Sequence, residues 1–410
     1  MKILYVSPRI PYPPKKGDQL RAYNQLKGLK SLGHEVHLIS FGKEASIPYQ
    51  LQQLCSEISV VPFSRIEALK NMMIGLLKAW PLQTSLYYSD ELLQAIGQAT
   101  SKNDYDIVHH QLVRLLPYQS SIKHLPNVID FVDSISLNLK RSLKMKKSLA
   151  NPFIRWEANN IHKMEQLASS RYDGGIFISE VDKNNVSMNR STITTIANGV
   201  DLDYFSFQQQ LTNENNLIFV GNMSYAPNRE GVKYFIKHIY PLIKKQREDF
   251  TFYIVGRNPT KDLLRLCEEH ENIIVTGEVD DVRKYLWNAK LFVCPLKSGA
   301  GLQNKVLEAM SSGIPVITTS IVNDPIKARE GQSIIVRDQD EEFAEAVVQL
   351  LSDGYQLNNI RHQARTFVEK NYQWGHLNAQ LVEFYKKTIE HHGIKQNRSS
   401  QTQIKVEVTR

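Results

Sequence analysis

The sequence contains no stretch of about 18 uninterrupted apolar residues, so a membrane-spanning helix is not expected. Cysteine is scarce. Cys55, Cys267 and Cys294 lie far apart, are odd in number and offer no pair at metal-ligand spacing. Disulfide frameworks and zinc modules therefore drop out, and reduced, buried thiols in a cytoplasmic protein are the expectation. The opening Met1-Lys2-Ile3-Leu4-Tyr5-Val6-Ser7-Pro8 turns polar too early for a signal peptide and reads as a buried first strand. No nucleic-acid-binding motif is found, so nucleic acid is not expected as a partner.

What is there fits a soluble two-domain chain. The 410 residues exceed one ordinary core, and 42% hydrophobic with 22% charged residues is a globular composition. The net charge is +8, part of it concentrated in Lys140-Arg141-Ser142-Leu143-Lys144-Met145-Lys146-Lys147. That run reads either as a contact for an anionic membrane surface or lipid phosphate, or as a solvated basic helix.

Short apolar runs alternate with helical patterns throughout. In the first half the strands are Lys2–Ser7, Glu35–Phe41, Glu57–Pro62, Asp106–His110, Asn127–Val132 and Gly174–Ser179. Leu20, Tyr23, Leu26 and Leu29 mark a helix over Gln19–Ser31 that Gly33 stops. The second half repeats the scheme with Asn216–Gly221, Phe250–Gly256, Asn272–Gly277, Lys290–Pro295, Ile314–Thr318 and Ser333–Arg337. Strand–helix alternation predicts an α/β chain of two doubly wound, Rossmann-like parallel sheets facing an interdomain cleft. The expected parts are a first domain over 1–205 and a second over 206–372. A helix is expected over 373–392, and a disordered polar tail over 393–410. Ligands of such sheets bind beyond the carboxyl ends of the strands, so strand-end residues are the ones to inspect.

The most informative segment runs from Cys294 to Thr319. A strand ends at Pro295, a loop carries Gly299 and Gly301, and a helix starts near Leu302 and stops at Gly313. Glycines let backbone approach a ligand, and free N–H groups at a helix start attract phosphate. Lys305 in the first turn can reach a diphosphate. Glu308, one turn on, can accept from ribose hydroxyls.

This segment resembles the donor-site signature of family 4 retaining glycosyltransferases (glycosyl transferases group 1), which have the GT-B fold. Of that family's two paired glutamates the second matches Glu308, and the first falls on Ala300. The resemblance is to the subgroup represented here by Gly301, Lys305, Glu308, Ala309 and Met310. Backbone N–H groups around Gly299–Leu302 then stand in for the missing carboxylate. Phe219–Gly231 resembles the family's first C-domain strand and phosphate loop, with Gly221 retained. Asn222 and Asn228 stand where the family places Arg and Lys, and Arg229 is adjacent. The turn Ile254–Pro259, with Arg257, resembles another donor-side turn. Thr276–Val282 resembles the base-binding turn, with Val279 as base contact, and Asp280-Asp281 reads as a helix N-cap rather than a metal site. In the first half, Pro13–Asp18 resembles the family's glycine-rich loop. Gly17 is expected near the donor, and Lys16, Arg21 and His109 toward the acceptor. Asp133 follows the fifth strand where the family carries a catalytic-site histidine.

The resemblance implies a metal-independent hexosyl transfer with retained anomeric configuration and no cofactor beyond the nucleotide-diphosphate sugar itself. Lys305 and the helix start would stabilise the leaving diphosphate, while Asp133 positions donor sugar or acceptor. A saccharide or lipid-linked acceptor in cell-surface polysaccharide synthesis, met at the inner face of the cell membrane, fits the resemblance and the basic run. Two alternatives stay open: a nucleotide-sugar epimerase on the same fold, and a non-catalytic assembly partner.

Overall fold

The computed structural model describes residues 1–43, 47–77, 80–145, 149–186, 192–210, 212–299 and 301–408. Two compact units are present. Unit 1 joins Met1–Ala197 to the C-terminal segment that begins at Trp374, and unit 2 is Asn198–Gln373. The change of unit thus falls at Asn198 rather than after residue 205. Among the described residues no helix is long and apolar enough to cross a membrane.

Unit 1 is built on a parallel sheet of β1 (Lys2–Ser7), β2 (Glu35–Gly42), β3 (Glu57–Pro62), β4 (Ile107–Gln111), β5 (Asn127–Val132), β6 (Gly174–Phe177) and β7 (Ile193–Thr195). Their spatial order is β3-β2-β1-β4-β5-β6-β7. Side chains alternate across the sheet as strand geometry demands. Ile3 and Tyr5 enter one core, Leu4 and Val6 the other. β7 is only Ile-Thr-Thr and escaped the sequence reading, being too short to show a period.

The helices that matter below are α1 (Gly17–Ser31), α2 (Arg65–Leu77), α3 (Leu82–Leu86), α4 (Ile135–Met145) and α5 (Asn151–Arg171) in unit 1. Unit 2 contributes α6 (Ala226–Tyr234) and α7 (Asn304–Ser311). Finally α8 (Trp374–Val408) returns to unit 1. Leu377, Leu381 and Tyr385 of α8 share a buried core with Ala22, Leu26 and Leu29 of α1. A methyl group at Gly28 would overlap Asn378, whose amide donates to Asn24 O at 3.1 Å.

The disordered tail expected from residue 393 is instead a continuation of α8 to Val408. His392 and Lys395, one turn apart, both reach the Asp173 carboxylate, at 2.7 and 3.2 Å, and Gln396 donates to His124 O at 3.3 Å. These contacts hold the turn that includes Gly393, and each further helical residue then adds a bond at little cost.

Unit 2 repeats the architecture with β8 (Asn216–Val220), β9 (Thr251–Val255), β10 (Ile273–Gly277), β11 (Leu291–Cys294), β12 (Val316–Thr318) and β13 (Ile335–Val336), in the order β10-β9-β8-β11-β12-β13. Leu217, Ile218, Phe252, Ile254, Phe292 and Val293 are fully buried in its core. The stretch leading into β8 is fastened by buried Arg361, which donates to the carbonyls of Gln208, Gln209 and Gly313 and lies 4.7 Å from the Phe207 ring.

Candidate functional site

In unit 2 the strand order reverses between β8 and its neighbours β9 and β11, the place where open α/β sheets leave a crevice for ligands. Three glycine turns nest there. Gly256, at φ +143°, follows β9, and a Cβ on it would overlap the carbonyl of Gly221. Gly221 follows β8, and a Cβ there would sit 2.6 Å from Asn228 Nδ2. Gly299, at φ +88°, follows β11, and its Cβ would come 2.8 Å from Pro227 at the start of α6. Only residues without side chains allow backbone to pack this closely.

The loop is braced from within, because Gln303 Nε2 donates to the carbonyls of Gly299 and Gly301 at 2.9 and 3.0 Å. Helix α7 begins at Asn304, two residues later than the sequence suggested, and no side chain caps its start. Its first-turn amides are therefore a ready site for an anion. Leu302 is buried below the loop and Gly301 is half-buried. Ala300 lies outside the described residues. At the other end Gly313, φ +76°, stops α7 as expected, with Ile314 N donating to Ala309 O at 2.9 Å.

Lys305 projects from the first turn of α7. Its ammonium donates to Asn228 Oδ1 and sits 4.5 Å from the Phe219 ring. Burial lowers its pKa, opposed by the neighbouring Cys294 and Glu308. Burial likewise raises Glu308 to about 7, with Lys305 pulling the other way. The two groups thus sit side by side in a poorly hydrated place, each ready to gain from a charged or hydroxylic ligand.

The remaining donor-side residues fall around this centre with different duties. Asn222 Oδ1 accepts from Ser224 N at 3.0 Å and from Asn258 Nδ2 at 3.3 Å, so it shapes the turn after β8. Asn228 Nδ2 donates to Asn222 O at 3.0 Å. The carbonyl of Arg257 accepts from Met223 N at 2.9 Å, tying the turn after β9 to that after β8. Arg229 pairs with Glu230 at 3.0 Å, which offsets the charge proposed for a diphosphate. Val279 is half-buried in the turn after β10. Asp281 accepts from the amide and guanidinium of Arg283, at 3.0 and 2.7 Å, and that bonding lowers its pKa to about 2. The helix at Arg283–Trp287 has Val282, with no side-chain cap bond, at its N-cap, so the expected Asp280-Asp281 N-cap is not formed; Asp281 meets the Arg283 amide from one position earlier. Arg283 in turn lies 4.0 Å from the Tyr204 ring.

In unit 1 two expectations are corrected. Arg21 and His109 were assigned to the acceptor, and both are fully buried. Arg21 Nε donates to Asp130 Oδ2 at 2.6 Å and its Nη1 to Ala197 O at 3.2 Å. Gln25, one turn along α1, donates to the same carboxylate at 2.9 Å. The helix period that places Arg21 beside Gln25 points it into the sheet rather than toward a ligand. His109 stacks on Tyr5 at 4.3 Å and shares a 2.7 Å bond with Tyr385. Burial lowers its pKa to about 4, so it is a neutral core residue. Lys16 and Gly17, by contrast, are exposed at the start of α1.

Asp133 lies just past β5, where the backbone is strained. Val132 has φ 65°, and Leu112, past β4, has φ 70°. A β-branched residue in that region is costly and is held by neighbours, here by Asp130 Oδ1 accepting from Val132 N and Ile178 N donating to Val132 O. Asn138 donates to Asp133 at 2.6 Å, and burial together with the charge of Asp182 raises its pKa to about 6. Around it gathers a network that sequence reasoning missed. Asp182 accepts from Ser134 N, and buried Glu165 accepts from Ser134 Oγ, Ser136 Oγ and Ser136 N. Burial raises Glu165 to about 7. The legible signal was Ser134 and Ser179, polar residues two positions past their strands. Glu165, in the middle of α5, gave none.

Residues 214–353, most of unit 2, match the family model described as glycosyl transferases group 1. A 44.6 kDa protein from the cps region of Klebsiella pneumoniae is 23% identical over 387 residues, covering 90% of this chain and 96% of that one. Among solved structures, Anabaena HepE in complex with UDP superposes with a TM-score of 0.68 at 15% identity, covering 94% of this chain and all of that one. Sucrose-phosphate synthase from Thermosynechococcus elongatus gives 0.68 at 14% identity, with 94% and 99% coverage. The fold is therefore GT-B: two Rossmann-like α/β domains.

Proposed function

We propose that the chain is a retaining glycosyltransferase of the family 4 type, working without a metal. It moves a hexose from a nucleotide-diphosphate sugar to a saccharide or lipid-linked acceptor. The observation that carries this reading is the Lys305–Glu308 pair on α7, set beside the glycine turns at the strand-order switch of unit 2. The HepE structures that hold UDP, UDP with glucose, and UDP-glucose support a uridine diphosphate donor. The cps-region relative supports a role in cell-surface polysaccharide synthesis, and with a lipid-linked acceptor the enzyme would work on the cytoplasmic side, peripheral to the membrane.

The chemistry follows from these groups. Departure of a nucleoside diphosphate builds negative charge on its phosphates, and the Lys305 ammonium with the uncapped α7 amides offsets it. Glu308 grips the ribose hydroxyls. The amides of Gly299, Gly301 and Leu302 hold the transferred sugar while positive charge spreads over its ring. The acceptor hydroxyl attacks from the leaving-group face and gives its proton to the departing diphosphate, so no protein nucleophile is needed. Asp133, with its raised pKa and its place next to strained Val132, positions the donor sugar or acceptor.

The test is a thermal-shift screen of UDP, GDP and their sugars, followed by a transfer assay with and without acceptor. Stabilisation by a nucleotide sugar, with turnover only when acceptor is added, is the expected result. Product formed without acceptor would instead identify an epimerase.

A further inference from the structure

Helix α2 is amphipathic the wrong way round. The residues it turns toward the protein are small: Ala68 and Gly75 are buried, and a methyl on Gly75 would overlap Ser85 of α3. The large apolar residues face water. Ile66 is 85% exposed and Leu77 88%, with Leu69, Met73 and Leu76 also exposed, and Trp80, beyond the helix, is exposed as well. Positions 66, 69, 73, 76 and 77 of α2 recur at helical spacing, so they form one face. A folded chain normally hides such a stripe, and a contiguous exposed one marks a docking surface.

Charge decides what docks. Arg65 and Lys70 flank the stripe and are exposed, while the acid of this helix, Glu67, is half-buried on another side. Beside it, α3 is tied to α5, because the Leu82 and Gln83 amides donate to Glu157 at 3.0 and 3.1 Å. The α4–α5 hairpin ends in fully exposed Leu149 and half-exposed Phe153, followed by exposed Arg155. Apolar side chains interleaved with Lys and Arg, with a tryptophan at the edge, match the boundary between acyl chains and anionic headgroups.

We infer that the outer face of α2, with the tip of the α4–α5 hairpin, docks unit 1 on a bilayer carrying anionic lipids. The stripe enters the headgroup–acyl boundary, and the basic residues meet lipid phosphates. This deepens the proposed membrane-side role, naming the surface that brings the enzyme to a lipid-linked acceptor. It rests on residues of unit 1 alone, so it stands or falls separately from nucleotide binding in unit 2.

The experiment is co-sedimentation of the full chain with vesicles of phosphatidylcholine, or of phosphatidylcholine with about one-third phosphatidylglycerol. The wild type should sediment with the anionic vesicles and be weakened by added salt. The double variant Leu69→Glu/Leu77→Glu should lose about tenfold or more in partitioning. Its melting temperature and its thermal shift with UDP should be unchanged, since both side chains point outward. Lys70→Glu, which disturbs no packing, is the second variant and should weaken anionic-vesicle binding selectively. The inference is overturned if the wild type stays in the supernatant with both vesicles, or if the variants sediment as it does. It is also overturned if light scattering shows a dimer that the double variant breaks, because the stripe would then be covered by a second copy.

Discussion

The pKa of Glu308 gives the donor-site reading its sharpest test. Burial raises this carboxyl to about 7, the ammonium of Lys305 offsetting only part of the effect. Gripping two ribose hydroxyls requires a carboxylate that only accepts, so the protonated form is the wrong one for binding. The apparent dissociation constant should then be the intrinsic one divided by the ionised fraction. That fraction is about 90% at pH 8 and about 10% at pH 6, so UDP-glucose should bind roughly ninefold more weakly at pH 6. UDP-glucose is the right probe, because its diphosphate carries no group that titrates in this window. Calorimetry at pH 6, 7 and 8 and constant ionic strength measures the slope. Glu308→Gln should bind more weakly at pH 8 and lose the pH dependence. A flat profile for the wild type, or the same slope in the glutamine variant, would refute the assignment of Glu308 to the ribose.

Three further outcomes follow from named contacts. Lys305→Ala and Glu308→Ala should each reduce the transfer rate at least about tenfold with the fold intact, and unaltered steady-state rates for both would remove the site. Gly256→Ala should lower stability by about 2 kcal/mol or more, because φ +143° is strained for alanine and the methyl meets Gly221 O; a melting curve like wild type would contradict the packing. Glu165→Gln tests the unit 1 network. The folded pKa of about 7 lies above the ordinary 4.5, so the carboxyl's contribution is fully present below about pH 4.5 and is lost as pH rises through 7. That loss is on the order of 3 kcal/mol. Glutamine keeps the neutral form, so the stability gap between variant and wild type should widen in the variant's favour from pH 5 to 8, and a constant gap would refute the burial argument.

The sheets were readable because every strand of useful length is a β-rich apolar run closed by Gly, Pro or a polar residue, as in Asn127–Val132 and Asn216–Val220. The α7 loop was readable because glycine spacing and a first-turn lysine are local features. Tertiary choices were not. Arg21 looked like a surface cation one turn into a helix, yet Asp130, more than a hundred residues away, draws it into the core. Nothing near Glu165 in sequence announces Ser134 and Ser136. The helical continuation past Gly393 depends on Asp173 in a distant loop rather than on the polar residues that form it. The α2 stripe was invisible for a further reason: periodicity reports that a helix is amphipathic, but not which face the fold will leave outside.

The two asparagines at the family's cationic positions bear on how this site holds a diphosphate. Asn228 Oδ1 accepts from Lys305 and its Nδ2 donates to Asn222 O, so the amide aims the one ammonium at the centre of the site without adding charge. If Lys305 supplies the attraction and Asn228 only orients it, charge matters more than shape at position 228. Asn228→Ala removes the orientation and leaves the ammonium intact. Asn228→Asp is nearly isosteric, but it loses the donor to Asn222 O and places a carboxylate against Lys305 that cancels its field toward phosphate. UDP-glucose affinity should therefore fall in the order wild type, alanine, aspartate, with the aspartate variant about tenfold or more below wild type. A purely structural role for Asn228 predicts the reverse order for the two variants, because aspartate fills the space that alanine vacates. Calorimetry on the pair decides between the two, and the aspartate variant binding as well as or better than the alanine variant would show that the attraction for the diphosphate comes from elsewhere.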